Sequence, residues 1–175
     1  MTNTPTGGTV SSENTPDIPN AKSEDKHEGE RKEAVNALAN TLERIRQEKI
    51  EEERRKILDG TYPSRVVQGR QNKHIESTVE FEQKRRQMQK DSPGSEPSII
   101  NTDVDAQSLV DTYKGTGDVY FVRSSPYPRE NITSKTIIGK SWWKEGRKYV
   151  DTSMFTISYS STGVHIIPIS EHGRK

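Results

Sequence analysis

Residues 151–169 read D-T-S-M-F-T-I-S-Y-S-S-T-G-V-H-I-I-P-I. Phe155, Ile157 and Tyr159 alternate with Thr156, Ser158 and Ser160, the period of a half-buried strand with an apolar face and a hydroxyl face. Residues 160–163 are turn chemistry, and residues 164–169 read as the returning strand. A two- or four-residue loop puts His165 on the face of Thr156, Ser158 and Ser160, whereas a three- or five-residue loop turns it to the other face. His165 therefore reads either as a hydrogen-bonded surface residue or as a group that holds a phosphate or moves a proton.

Composition shows how much of the chain can share a core with this hairpin. Of 175 residues, 27% are hydrophobic and 30% charged, with a mean hydropathy of −1.01, which is too polar for packing throughout. Every Phe, Trp and Tyr lies at or after Tyr62, so the globular part is expected over residues 61–175. Charge divides at the same place: residues 1–60 hold 10 Lys/Arg against 13 Asp/Glu, and residues 61–175 hold 17 against 13. The second balance suits a nucleic-acid ligand without marking a dedicated DNA-binding domain. No Cys is present, which excludes disulfides, thiolate metal sites and cysteine nucleophiles. With no apolar leader and no run long enough to span a bilayer, neither an ordinary secretory signal nor a membrane partner is expected, and the absence of Cys suits a cytoplasmic or a virion setting alike.

Residues 1–27, rich in Thr, Ser, Asn, Pro and Gly, are expected to form a disordered tail. Residues 28–60 are expected to be a charged helix, in which Val35, Leu38, Leu42 and Ile45 make a coiled-coil-like seam of two heptads. It serves either as a solvated spacer or as a docking helix. Residues 65–74 read as a strand and a polar loop. Ser77 and Glu80 form a capping box for a helix over 78–90, whose Lys84, Arg85 and Arg86 are a solvated face or a phosphate contact. Thr102 or Asp103 caps a second helix carrying Ala106, Leu109, Val110 and Tyr113 on one face. Strands are expected at 119–123 and 136–139, and residues 144–148 as a basic turn. Of the paired Trp142 and Trp143, one packs while the other stays near the surface. Helices first and strands afterwards describe an α+β domain, two helices on a mostly antiparallel sheet.

Four stretches, Q-N-K-H at 71–74, D-A-Q-S-L-V-D-T-Y-K-G-T-G at 105–117, I-I-G-K at 137–140 and T-x-x-F-x-I-x-Y-S-S-T-G-V-H-I-I-P at 152–168, resemble the polymorphic toxin type 50 domain. That domain occurs at the C-termini of phage and prophage minor head proteins and in bacterial toxin systems. The resemblance implies a metal-independent endoribonuclease toxin related in fold to barnase, EndoU, colicin and RelE, with RNA as substrate, no cofactor and an immunity protein as partner. The family's motif residues correspond to Lys73, His74, Thr152, Ser160 and His165.

Metal-free RNA cleavage needs a base for the 2′-OH proton, an acid for the leaving 5′-oxygen, and donors for the charged phosphorus centre. Under that resemblance His165 and His74 form the acid–base pair, in either order. Lys73 neutralises the phosphate, and Thr152, Thr156 and Ser160 supply hydroxyls. His27 and His172 are expected to take no part, and no spacing in the sequence resembles a metal site. The alternative is a non-enzymatic phage minor head or accessory protein that docks on a portal or capsid protein through residues 28–58 and binds nucleic acid or protein without cutting it.

Overall fold

A computed structural model describes the backbone of residues 21–171 and the side chains of residues 27–171. The expected tail lies outside the described residues up to residue 20, and His172 lies outside them too. The chain forms α1 (Ala21–Leu58), α2 (Gln68–Gln71), a 3-10 turn (Asn72–His74), α3 (Val79–Asp91), β1 (Ile99–Ile100) and α4 (Ala106–Tyr113). The strands β2 (Asp118–Tyr120), β3 (Arg129–Thr133), β4 (Gly139–Trp143), β5 (Lys148–Thr152), β6 (Met154–Ser160) and β7 (Gly163–Ile169) follow. The class is α+β, with two antiparallel sheets ordered β1-β4-β5 and β2-β3-β6-β7. Among the described residues no helix is long and apolar enough to cross a membrane.

The 151–169 hairpin closes in one of the registers that its sequence leaves open. Ser160 pairs with Gly163 across a two-residue loop, so Ser158 faces His165 and Ile157 faces Ile166. One face of the sheet carries Phe155, Ile157, Tyr159, Val164 and Ile166, all fully or almost fully buried, and closes the core with Val110 of α4. The hydroxyl face is also covered: Thr156, Ser158 and Ser160 are buried. The expectation of a half-solvated strand fails here because the segment after Arg65 folds across that face.

Two compact units divide at Arg44 and Ile45. In the first, Val35, Leu38 and Leu42 are exposed. In the second, the end of α1 is core material, since Ile57 is fully buried and Glu53 accepts a short hydrogen bond from Tyr62. The helix expected to stand apart through residue 60 thus contributes its last turns to the domain. Two apolar residues behind the charges of R-R-K-I-L-D, only the first of them buried, carry too little local signal to reveal this.

Several local expectations move. Residues 65–74 are not a strand and loop; Val66 makes only a parallel bridge to Val164, and the chain then turns helical. Thr78, not Ser77, caps α3, because its hydroxyl accepts from Phe81 N while Ser77 takes a left-handed φ of 78°. Asp105 caps α4 by accepting from the Gln107 and Ser108 amides, which displaces Thr102 and Asp103. Strand structure covers 139–143 and 148–152 rather than 136–139, so the expected basic turn is the tip of a hairpin. Trp142 packs edge-on against Tyr149 and donates to Gly94 O, while Trp143 lies under Lys148.

One buried carboxylate ties α4 to the sheet. Glu130 is fully buried on the apolar face and accepts from Gly115 N (3.0 Å), Gly117 N (2.7 Å) and Tyr159 Oη (3.0 Å). From outside, Arg54 donates to the carbonyls of the same two glycines at 2.8 and 3.0 Å. Glu130→Ala strands three donors and is expected to cost about 3 kcal/mol or more, since each buried polar group left unpaired costs about 1–3 kcal/mol. Glu130→Gln is expected to lose less, and urea unfolding of the two variants gives the comparison.

Candidate active site

The outer edge of β7 decides what covers the hydroxyl face. Val164 N donates to Arg65 O (2.9 Å) and Val67 N donates to Val164 O (2.8 Å). Gly163 permits this approach: its φ is +138°, and a Cβ there would run into the Arg65 carbonyl oxygen. Two residues along β7, the buried Gln71 side chain completes the pairing. Its Oε1 accepts from Ile166 N (2.8 Å) and its Nε2 donates to Ile166 O (3.2 Å). The 3-10 turn that follows stacks His74 on His165, with ring centroids 6.0 Å apart and planes 23° apart. Gln71→Leu is expected to destabilise the fold by about 2 kcal/mol or more, because two backbone groups lose partners worth about 1–3 kcal/mol each; thermal unfolding measures it.

His74 is 1% exposed and both ring nitrogens are engaged. Nδ1 lies 3.0 Å from Ser98 O; a carbonyl only accepts, so Nδ1 carries the proton. Nε2 is then the acceptor for the Lys84 ammonium, 3.1 Å away. Lys84 comes from the inward face of α3, one turn after the buried Phe81. Thr78 holds this helix to the turn, its hydroxyl 2.6 Å from Asn72 O.

Across the sheet the register sets up a row. Tyr120 pairs with Arg129, Arg129 with Ser158, and Ser158 with His165, so all four share one face. Arg129 and His165 flank β6, and each has a buried nitrogen with no partner among the described residues, Nε and Nδ1 respectively. Arg70, Lys73, Lys84 and Arg129 all bear on these imidazoles. None of the four makes an ion pair with a carboxylate among the described residues. Four cations facing two imidazoles without a counter-charge are an anion-attracting arrangement.

The titrating groups respond accordingly. Burial first, then Lys84, Arg70, Arg129 and Lys73, push His165 down to about 4. Burial and then Lys84 push His74 down to about 3, against the pull of Ser98 O. Lys84 falls to about 8 through burial, Lys73 and Arg129. Among the described residues no group of three or more His, Asp or Glu is placed to hold a metal ion.

Of the residues singled out in the sequence, His165, His74 and Lys73 come together, Lys73 at the exposed rim. Thr156 lies one row away on the same face and donates to Asn131 Oδ1 at 2.6 Å. Ser160 donates to Gly163 O at 2.7 Å, which braces the hairpin turn. Thr152 lies at the far end, where Ser153 carries the chain from one sheet to the other. Its hydroxyl donates to Ile169 O and accepts from Met154 N. Sequence reasoning missed Arg129, Arg70 and Gln71 and left Lys84 undecided; a lone cation in a polar stretch gives no local sign of tertiary convergence.

Both imidazoles sit below their unfolded value of about 6.5, so the unfolded chain takes up protons first as pH falls. The melting temperature is therefore expected to drop from pH 6.5 downward through about pH 4. Sulfate at neutral pH is expected to raise it by binding the folded state alone, and Arg129→Leu to reduce that rise. Circular dichroism melts with and without sulfate read both effects.

No curated protein matches the chain in a sequence search. The family described as bacterial toxin 50 does match, over residues 66–168, a span that takes in the hairpin, both imidazoles and all four cations. On that match the chain belongs to the bacterial toxin 50 family.

Proposed function

We propose that this toxin domain is a metal-independent endoribonuclease that cleaves RNA by attack of a 2′-OH on the adjacent phosphorus. The observation that carries the reading is the cationic cluster around His165, with partnerless nitrogens on His165 and Arg129. A phosphodiester supplies the missing charge. Arg129, Arg70 and Lys73 are proposed to hold the non-bridging oxygens, and Arg129 brings a fork geometry suited to two of them. His165, neutral at working pH, takes the 2′-OH proton. In this reading His74 braces the site by stacking on His165, because neither of its nitrogens is open to a substrate. Thr156, on the shared face one row away, is proposed to serve the phosphate, whereas Thr152 and Ser160 are proposed to hold the frame.

Such a toxin calls for an immunity protein, and the chemistry of the site favours one that presents carboxylates to it. A second reading rests on a different observation, the exposed seam of Val35, Leu38, Leu42 and Ile45. It gives residues 28–58 a docking role on a phage portal or capsid protein, with the domain binding without cutting.

The full chain is expected to cleave RNA in EDTA, and His165→Ala to slow cleavage by about 10²–10⁴-fold, the usual contribution of a positioned acid–base group. Gel analysis of transfer RNA and total RNA decides. Intact RNA recovered from folded wild-type protein would end the enzyme reading and leave the docking one.

A further inference from the structure

If His165 takes the 2′-OH proton, a second group must give one to the departing 5′-oxygen. It has to face the same cluster, and it must part with a proton near neutral pH. His74 fails on access, with both nitrogens engaged and its ring 1% exposed. Arg70 and Arg129 fail on chemistry, because a guanidinium stays protonated. Lys73 is exposed to water at the rim. Lys84 is left: it is half-buried, donates one N–H to His74 Nε2 at 3.1 Å, and among the described residues its other two N–H groups have no partner.

We propose that Lys84 is the catalytic acid of this site and that His74 is the positioning residue that aims it. The inference rests on the ribonuclease reading and assigns that reaction's second proton. The 2′-oxygen forms its bond to phosphorus as His165 accepts the 2′ proton. The bond from phosphorus to the 5′-oxygen breaks as Lys84 gives that oxygen a proton. The products are a 2′,3′-cyclic phosphate and a 5′-hydroxyl, and exchange with water resets an imidazolium and a neutral amine.

His74 suits the positioning role because its tautomer is fixed. Ser98 O holds the proton on Nδ1, so Nε2 presents only a lone pair, and among the described residues the cation bonded to it is Lys84. The groups facing the Lys84 amine are His74 and Lys73 from the 3-10 turn, Arg129 from β3 and His165 from β7. Each is neutral or positive, so none opposes release of its proton. With Lys84 near 8 and His165 near 4, the base is neutral and the acid charged between those limits. Cleavage should fall on the alkaline side as Lys84 loses its proton.

The test compares two substrates of one sequence: an ordinary ribonucleotide linkage, and one whose 5′-bridging oxygen is replaced by sulfur. A departing thiolate needs no proton. In the full chain, Lys84→Met is expected to slow the oxygen substrate by about 10²–10⁴-fold while leaving the sulfur substrate nearly as fast as with wild type. The native chain has no cysteine, so Lys84→Cys alkylated with 2-bromoethylamine restores a slightly less basic amine. It is expected to recover activity with the alkaline limb moved to lower pH. His74→Phe keeps the ring against His165 but frees the amine, and should lower kcat with KM little changed and displace the same limb.

Equal slowing of both substrates by Lys84→Met, with the alkaline limb unmoved, would overturn the assignment and leave Lys84 as a phosphate-holding charge. Wild-type kcat and pH profile in His74→Phe would overturn the positioning role. Failure of the folded wild-type protein to cut either substrate would overturn the ribonuclease reading and the acid with it.

Discussion

Val164 and Ile166 turn their backbone N–H and C=O groups to the outer edge of the sheet, and the segment after α1 meets both. Arg65 and Val67 do so through the backbone and Gln71 through its side-chain amide. An edge left bare would leave polar groups exposed to stray pairing. Here its closure also brings the 3-10 turn across the hydroxyl face and lays one imidazole on the other. The site therefore depends on strand-edge hydrogen bonding as much as on its own charged groups.

The same closure gathers charge that the fold gains nothing from holding. Four cations gather here, all of them depressing His165 and two, Lys73 and Arg129, depressing Lys84 in turn, and they repel one another in a region short of water. Glu130 shows that the fold can bury a carboxylate when it needs one, yet it directs that carboxylate to the opposite face, where it binds the glycine loop and Tyr159. A bound anion relieves the repulsion. Such local opposition to stability is what pre-organised electrostatic sites commonly show.

What could be read from the sequence follows the range of each interaction. The β6–β7 hairpin was legible because strict alternation and turn residues announce it within nineteen residues of text, whereas the face of His165 waited on the loop length, which the structure sets at two residues. The apolar face of α4 was legible for a similar reason. By contrast, β3 reads R-E-N-I-T, and its buried Glu130 hides an inward position behind a charge. Gln71 looks like one more polar residue in a loop, although it completes a sheet edge. Lys84 and Arg129 lie far from His165 in the sequence, and only the folded chain makes them its neighbours. Ile57 enters the core from a helix whose surrounding residues are charged.

The Gln71–Ile166 pairing joins positions 95 residues apart in the chain. Contacts of that span close late, since a long loop must lose its freedom before the contact rewards it. The hairpin and the helices are local and need not wait. A chain emerging from a ribosome, or threading through a pore, thus carries its sheet register early and its charge cluster only after the two ends of the domain have met. Until then Lys84, Arg129 and His165 are separate solvated side chains, and the topology itself delays the moment at which the charge cluster is assembled.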